Sequence, residues 1–310
     1  MDVIGIIISA GKSSVDVALY TLLPIMVVML VIMKFLEVKG VLDVVVKWMT
    51  PLLRPFGLSG MSTFAMIQLN FVSFAAPLAT LSIMEKRGVS DRHLAATLAM
   101  VFAMGQGNTF YPLTPFGLHW GAAIVISIIG GLSAAALTYH WLGRKLSMAE
   151  GARLEAARPE EQTARGIIGI INGAGSDAIR LAMGSVPMLL LSMVIVGMLT
   201  AVGVVSGLEH LLSPLLAAMG IPEVFVMPTL VKCLAGGTAY FGVISDLVQQ
   251  GKITASQINA SSGLLVQTFD LPGIGIFLGV GSRFTRVFRY AAPGAMFGIL
   301  VRTLLHLALF

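Results

Sequence analysis

Pro24, Pro51, Gly57 and Gly88 return as Pro187, Pro214, Gly220 and Gly251, each 163 positions further along the chain. The words around them return too: Leu23-Pro24 as Val186-Pro187, and Thr50-Pro51-Leu52-Leu53 as Ser213-Pro214-Leu215-Leu216. A one-residue slip extends the match from Ile4-Gly5-Ile6-Ile7 against Ile168-Gly169-Ile170-Ile171 to Leu94, Ala96 and Thr97 against Ile258, Ala260 and Ser261. Any fold of this chain must therefore hold two copies of one unit. In an apolar sequence such duplication suits a scaffold whose central site can face either side of a membrane.

The chain is apolar enough for that reading. Of its 310 residues 56% are hydrophobic and 11% charged, with a mean hydropathy of +0.91. That leaves too little polar surface to cover a soluble globule of this size, and places the chain in a bilayer. A net charge of +5 does not indicate nucleic acid, because the basic residues stand in short groups between apolar runs, as topology signals do. The single cysteine, Cys233, excludes an internal disulfide and a cysteine-cluster metal site. No cleaved signal peptide is expected, since Asp2 stands where a basic n-region would be and the apolar run that follows is short.

Each copy divides into the same pieces. Short amphipathic stretches, 3–17 and 167–182, precede spanning helices at 18–37 and 184–203. Amphipathic helices follow at 41–56 and 204–219, interrupted by Pro51 and Pro214 and expected to lie in the interface. Segments 60–86 and 223–249 are apolar but carry polar or helix-breaking residues at their centres, which predicts two re-entrant hairpins; a long tilted helix is the alternative. Next come helices broken at Gly105-Gln106-Gly107-Asn108 and at Asp270-Leu271-Pro272-Gly273, then final spans at 118–142 and 290–309. The expected organisation is a first repeat over 1–143, a cytoplasmic linker over 144–166 and a second repeat over 167–310. The fold class is all-α and polytopic.

Charge sets the expected orientation. Hairpins that do not cross give each copy three crossings, so the second copy is inverted relative to the first. With both termini outside, all but four of the 20 Lys and Arg residues fall on the cytoplasmic side: Lys12, Lys252 and Arg302 lie outside, and Lys232 lies within the membrane. The segment Arg283-Phe284-Thr285-Arg286-Val287-Phe288-Arg289 is read as a cytoplasmic loop matching the uncharged Tyr111 to Leu118 loop of the first copy.

The repeated unit of interfacial helix, hairpin and broken helix, with segments such as Leu234-Ala235-Gly236-Gly237-Thr238-Ala239-Tyr240-Phe241-Gly242, resembles the nucleoside recognition or Gate domain. That domain is shared by concentrative nucleoside transporters, ferrous iron transporters and spore maturation membrane proteins. The resemblance covers essentially the whole chain. It implies a solute site between two hairpin tips and two unwound helices, in a chain lacking the extra helices of the nucleoside transporters.

Four broken segments then supply the candidate site. They offer Gln68, Asn70 and Ser73 from the first hairpin, Gln106, Asn108 and Thr109 from the first broken helix, Lys232, Thr238 and Tyr240 from the second hairpin, and Gln267, Thr268 and Asp270 from the second broken helix. Amides and hydroxyls both donate and accept, which suits a polar organic solute. Half-helix N-termini after Ser73 and Gly237 would add positive dipole ends. Lys232 and Asp270 are the residues most in need of a cause, since an ionisable group at membrane depth costs about 2.5 to 3.5 kcal/mol. Asp270 is expected to hold a proton or sodium ion or a substrate hydroxyl, with Lys232 as charge partner; a structural ion pair is the other reading.

The expected function is secondary transport of a small polar, nucleoside-like solute across the inner (plasma) membrane, coupled to H+ or Na+. The alternatives are a membrane sensor or assembly factor of the spore-maturation type, and divalent iron transport. No Walker motif, nucleophile-and-base spacing or metal-ligand spacing is present, so neither enzymatic activity nor a bound cofactor or metal is expected. Lipid and the solute are the expected partners, nucleic acid is not, and a homodimer is the expected assembly. The small residues Gly130, Gly131, Ser133, Ala134, Ala135 and Ala136 would serve either an oligomer seam or packing within the chain.

Overall fold

A computed structural model describes residues 3–72, 74, 76–148, 166–204, 207, 213–214, 217–218 and 221–310. Every regular element among them is helical. Residues 149–165 of the linker, Ser73 and most of the expected interfacial helix at 204–219 lie outside the described residues.

The first half runs through α1 (Val3–Asp16), a π turn at Val17–Leu22, α2 (Leu23–Val38), α3 (Val41–Leu53), α4 (Gly60–Phe71), α5 (Pro77–Lys86), α6 (Asp91–Ala103), α7 (Gly107–Leu113) and α8 (Trp120–Leu137). The second runs through α9 (Ile167–Ala201), α10 (Val226–Gln249), α11 (Ala255–Leu265), α12 (Leu271–Leu278) and α13 (Ser282–Leu309). The 3–17 and 167–182 stretches are not separate amphipathic helices. Helix continues from α1 through the π turn into α2, and α9 joins both pieces in 35 residues, about 50 Å of helix. Pro51 likewise does not interrupt α3, which carries it in its last turn.

The shared markers have a backbone reason. Gly88 ends the second arm of the first hairpin at φ 68°, and Gly251 ends α10 at φ 67°, left-handed values that admit glycine without strain. Each is followed by an N-cap. The Ser90 hydroxyl accepts from the His93 N–H, and Thr254 forms a capping box with Gln257.

Two helical layers result. In one, α1 and α2 pack along α9. In the other, α6, α8, α11 and α13 pack on one another and α4 lies against α6 and α8, while α10 packs on α9 and reaches α7, α11 and α12. Glycines set the close crossings of the second layer: Gly130 lies against Gly298 and Arg302, Gly294 against Ala134 and Thr138, and Gly263 against the Arg302 and Thr303 backbone. Gly130, Gly131, Ala134 and Ala135 are thus buried inside the chain, which makes intramolecular packing the use of that stretch.

The 283–289 segment is not a loop but the first two turns of α13. It contains neither Gly nor Pro, so nothing in it stops a helix. Arg283 ties this end of α13 to the base of the first hairpin. Its guanidinium donates to Asp91 Oδ1 at 2.6 and 2.9 Å and to the Val89 carbonyl, while its N–H donates to Glu85 Oε1 at 2.9 Å. By length and composition, Val3–Tyr20, Trp120–Leu142 and Ser282–Leu309 are each able to cross a bilayer, and the chain is a helical membrane protein.

Candidate functional site

The site is built from two helices that stop in mid-layer. Met104 to Gln106 are extended between α6 and α7, and Val266 to Asp270 separate α11 from α12. Stopping a helix in apolar surroundings orphans its last carbonyls, and each needs a donor. Here the two breaks satisfy one another. The Val101 carbonyl accepts from the Thr268 hydroxyl, and the Phe102 carbonyl from the Thr268 N–H at 3.3 Å. The Ala103 carbonyl accepts from Arg302 Nη1 at 2.7 Å. In return, Arg302 Nη2 donates to Val266 O at 2.6 Å and Ser262 O at 3.4 Å, and Gln106 Nε2 donates to Gln267 O at 3.0 Å.

Arg302 is therefore not on the outer face, where its charge was placed. It is fully buried, with its guanidinium forked between the ends of α6 and α11. The reason is physical: two sets of orphaned carbonyls need a donor with several N–H groups in a fixed plane, and arginine supplies five.

Both hairpin tips close on these breaks. The first hairpin bends between α4 and α5, and its Asn70–Val72 backbone lies against Gly107 so closely that a Cβ there would sit 2.8 Å from the Asn70 oxygen and 3.0 Å from Val72 N. Gly107→Ala is expected to lower stability by about 1 to 3 kcal/mol, because the atoms it meets are backbone and cannot swing aside. Thermal unfolding in detergent reads this; an unchanged melting temperature would refute the contact. The segment expected to form the second hairpin is α10, which breaks at Gly236, with φ 86° and ψ −176°, into arms Val226 to Ala235 and Gly237 to Gln249. Gly236 faces Asp270 and Pro272, and Gly237 faces Thr109 and the Gln106 amide.

The structure places the twelve candidate residues as follows. Gln106, Thr109, Lys232, Gln267 and Asp270 come together at the breaks and the second tip. Lys232 Nζ is paired with Asp270 Oδ2, and both are buried; Asp270 Oδ1 accepts from the Gly273 N–H at 2.7 Å and so caps α12. Thr109 Oγ1 and Gln267 Oε1 are buried with no hydrogen-bond partner. Thr268 is committed to α6, as above.

The others serve the hairpins and breaks. Asn70 donates to the Met66 carbonyl at 3.0 Å and accepts from Ser127 Oγ at 2.9 Å, while Ser127 Oγ accepts from the Gly105 N–H at 2.8 Å. Asn108 Oδ1 accepts from the Phe74 N–H at 3.3 Å. Gln68 Oε1 accepts from Thr80 Oγ1 at 2.8 Å, joining the two arms of the first hairpin. Tyr240 is buried in an apolar cluster with Phe110, Phe241 and Ile258. Thr238 lies on the second arm of α10, its side chain outside the described set, as is Ser73.

Sequence reasoning missed Ser127 and Arg302, which hold the breaks from the final spans. The signal for Arg302 was present: Gly294, Gly298, Arg302 and His306 recur every four residues, one small and polar stripe along a helix. The assembled centre is enclosed, since Gln106, Thr109, Lys232, Gln267 and Asp270 are all buried. It combines an ion pair, amide groups and two unpartnered polar atoms, a set able to hydrogen-bond a compact polar solute.

Comparison with known proteins agrees with this architecture. Residues 19–114, from the π turn before α2 to the end of α7, match the Gate family, described as nucleoside recognition. No curated protein matches the sequence. Solved structures of the concentrative nucleoside transporter CNTnw share the fold. A variant in an outward-facing state gives a TM-score of 0.71 at 17% identity, over 94% of this chain and 75% of that chain. The inward-facing substrate-bound state gives 0.70 at 19% identity, over 94% and 73%. A variant in an intermediate state gives 0.64 at 19%, over 93% and 74%.

Proposed function

We propose that the chain is a secondary transporter of a small polar, nucleoside-like solute, bound between the two hairpin tips and the two helix breaks. The observation that carries this reading is the pair of buried, unpartnered acceptors Thr109 Oγ1 and Gln267 Oε1 at the point where both breaks and the second tip converge. Buried polar atoms normally have partners, and a bound solute supplies them. The likeness of the fold to CNTnw, which has been solved in outward-facing, intermediate and substrate-bound inward-facing states, supports a solute path through this centre. In this reading the second copy is inverted relative to the first, and the second hairpin tip parts from α7 to admit solute to the site.

The test is uptake of radiolabelled uridine and adenosine into proteoliposomes by wild type and Thr109→Val. Because the Thr109 hydroxyl bonds nothing in the chain, its loss should leave the melting temperature unchanged. Uptake should fall by roughly tenfold, the worth of one hydrogen bond to the solute. Equal uptake by both proteins would refute the site. Solute binding without flux in wild type would instead make the chain a membrane sensor.

A further inference from the structure

We propose that Lys232 is a tethered counter-ion for Asp270, so that the site reorients without a proton or sodium ion on that carboxylate. This rests on the transport reading above and revises the expected role of Asp270. The carboxylate is engaged on both oxygens, Oδ2 by the Lys232 ammonium and Oδ1 by the Gly273 N–H. The two side chains are 1% and 3% exposed, and Gly236 at the hairpin tip covers the carboxylate.

A buried carboxylate crossing an apolar region must be neutralised, and a coupling cation commonly does this by binding afresh in each cycle. Here the neutralising charge is part of the second hairpin. Adding a proton or a sodium ion to the pair would leave a net positive charge in the same buried space, which is unfavourable without a further anion. Among the described side chains, α7, α11 and α12 carry no carboxylate, that of α10, Asp246, lies on the other arm ten residues past Gly236, and the α13 cation nearest the break, Arg302, donates to carbonyls. Both members of the pair also belong to elements of the site, the first arm of the second hairpin and the cap of α12, so the charges travel together if those elements move as one.

The inference is tested by thermal unfolding of detergent-purified wild type, Asp270→Asn, Lys232→Met and Lys232→Met/Asp270→Asn. Each is measured with Na+ or choline at constant ionic strength and across the neutral to mildly acidic range. Wild type should be indifferent to Na+. Its response to acid should be unchanged by Asp270→Asn. Lys232→Met should be stabilised by Na+ or acid, by roughly 2 °C or more, and the double variant should lose that response. Failure of Lys232→Met to fold without added cation, with recovery when Na+ or acid is supplied, gives the same support. A Na+ response in wild type that Asp270→Asn removes would overturn the inference. So would a Lys232→Met protein that no cation restores or affects. Uridine uptake with and without Na+ and pH gradients adds a second readout: wild-type flux should be the same in each, and flux that requires either gradient through Asp270 overturns the proposal. Absence of uptake under every condition would sink the transport reading while the melting data still decide the role of Lys232.

Discussion

Arg302→Leu is expected to lower the stability of the folded chain by about 3 kcal/mol or more, the worth of two hydrogen bonds to a charged donor. The two short bonds concerned run to Ala103 O and Val266 O, which terminate different helices. Leucine fills part of the volume but leaves both carbonyls without donors in a region that water does not reach. Arg302→Lys should recover only part of the loss, because one ammonium on a flexible stem cannot fork to two helix ends as a planar guanidinium does. Uptake should fall with stability, since the same bonds set the distance between the two breaks. Chemical unfolding in detergent together with the proteoliposome assay checks both. Wild-type stability in Arg302→Leu would mean that other donors satisfy these carbonyls.

The Lys232–Asp270 pair carries the other large expectation. Asp270→Ala strands a buried ammonium and removes the cap of α12, which together should cost about 3 to 5 kcal/mol. Lys232→Met strands the carboxylate and should cost a similar amount in the absence of an added cation. The double variant Lys232→Met/Asp270→Asn is expected to be far less destabilised than the two single losses combined, because no charge is left buried and asparagine keeps the cap on Gly273. A double-mutant cycle of melting free energies reads this directly. Additive losses would show that the two groups do not depend on each other, against the geometry described.

These expectations draw on features of unequal legibility in the sequence. Among the repeat markers Gly88 and Gly251 were readable because they do a fixed backbone job, holding left-handed turns that other residues enter only with strain. The breaks were readable for the same reason, as polar and helix-terminating residues set in apolar runs. Less readable was the use of each polar side chain. Asn70 spends both ends of its amide on Met66 and Ser127, whereas Thr109 spends none. Capping a freed backbone group and lining a solute site call for the same chemistry, so residue type alone cannot separate them.

Arg302 was misplaced because a charge near the end of an apolar run resembles a snorkelling interfacial residue. Only its alignment with Gly294 and Gly298 marks it as facing the core. The basic segment 283–289 was taken for a loop from its charge, although charge does not end a helix and the segment has no breaker. Similarly, polar residues in 3–17 and 167–182 suggested separate amphipathic pieces. Helix propagation is local, however, and runs on where no strong terminator intervenes.

The central claim is that solute reaches its site only when the second hairpin tip parts from α7, and a reversible cross-link at that contact tests it most directly. Gly237 and Thr109 are close enough that a Cβ on the glycine would lie 2.7 Å from Thr109 Oγ1, within the reach of a disulfide. In a Cys233→Ala background, which removes the native thiol, Gly237→Cys with Thr109→Cys should form that bond on oxidation. Uptake by the oxidised protein should fall to background and return to the level of the unoxidised double variant on reduction. Unchanged uptake with the cross-link fully formed would contradict the account, because solute would then be crossing without opening this contact.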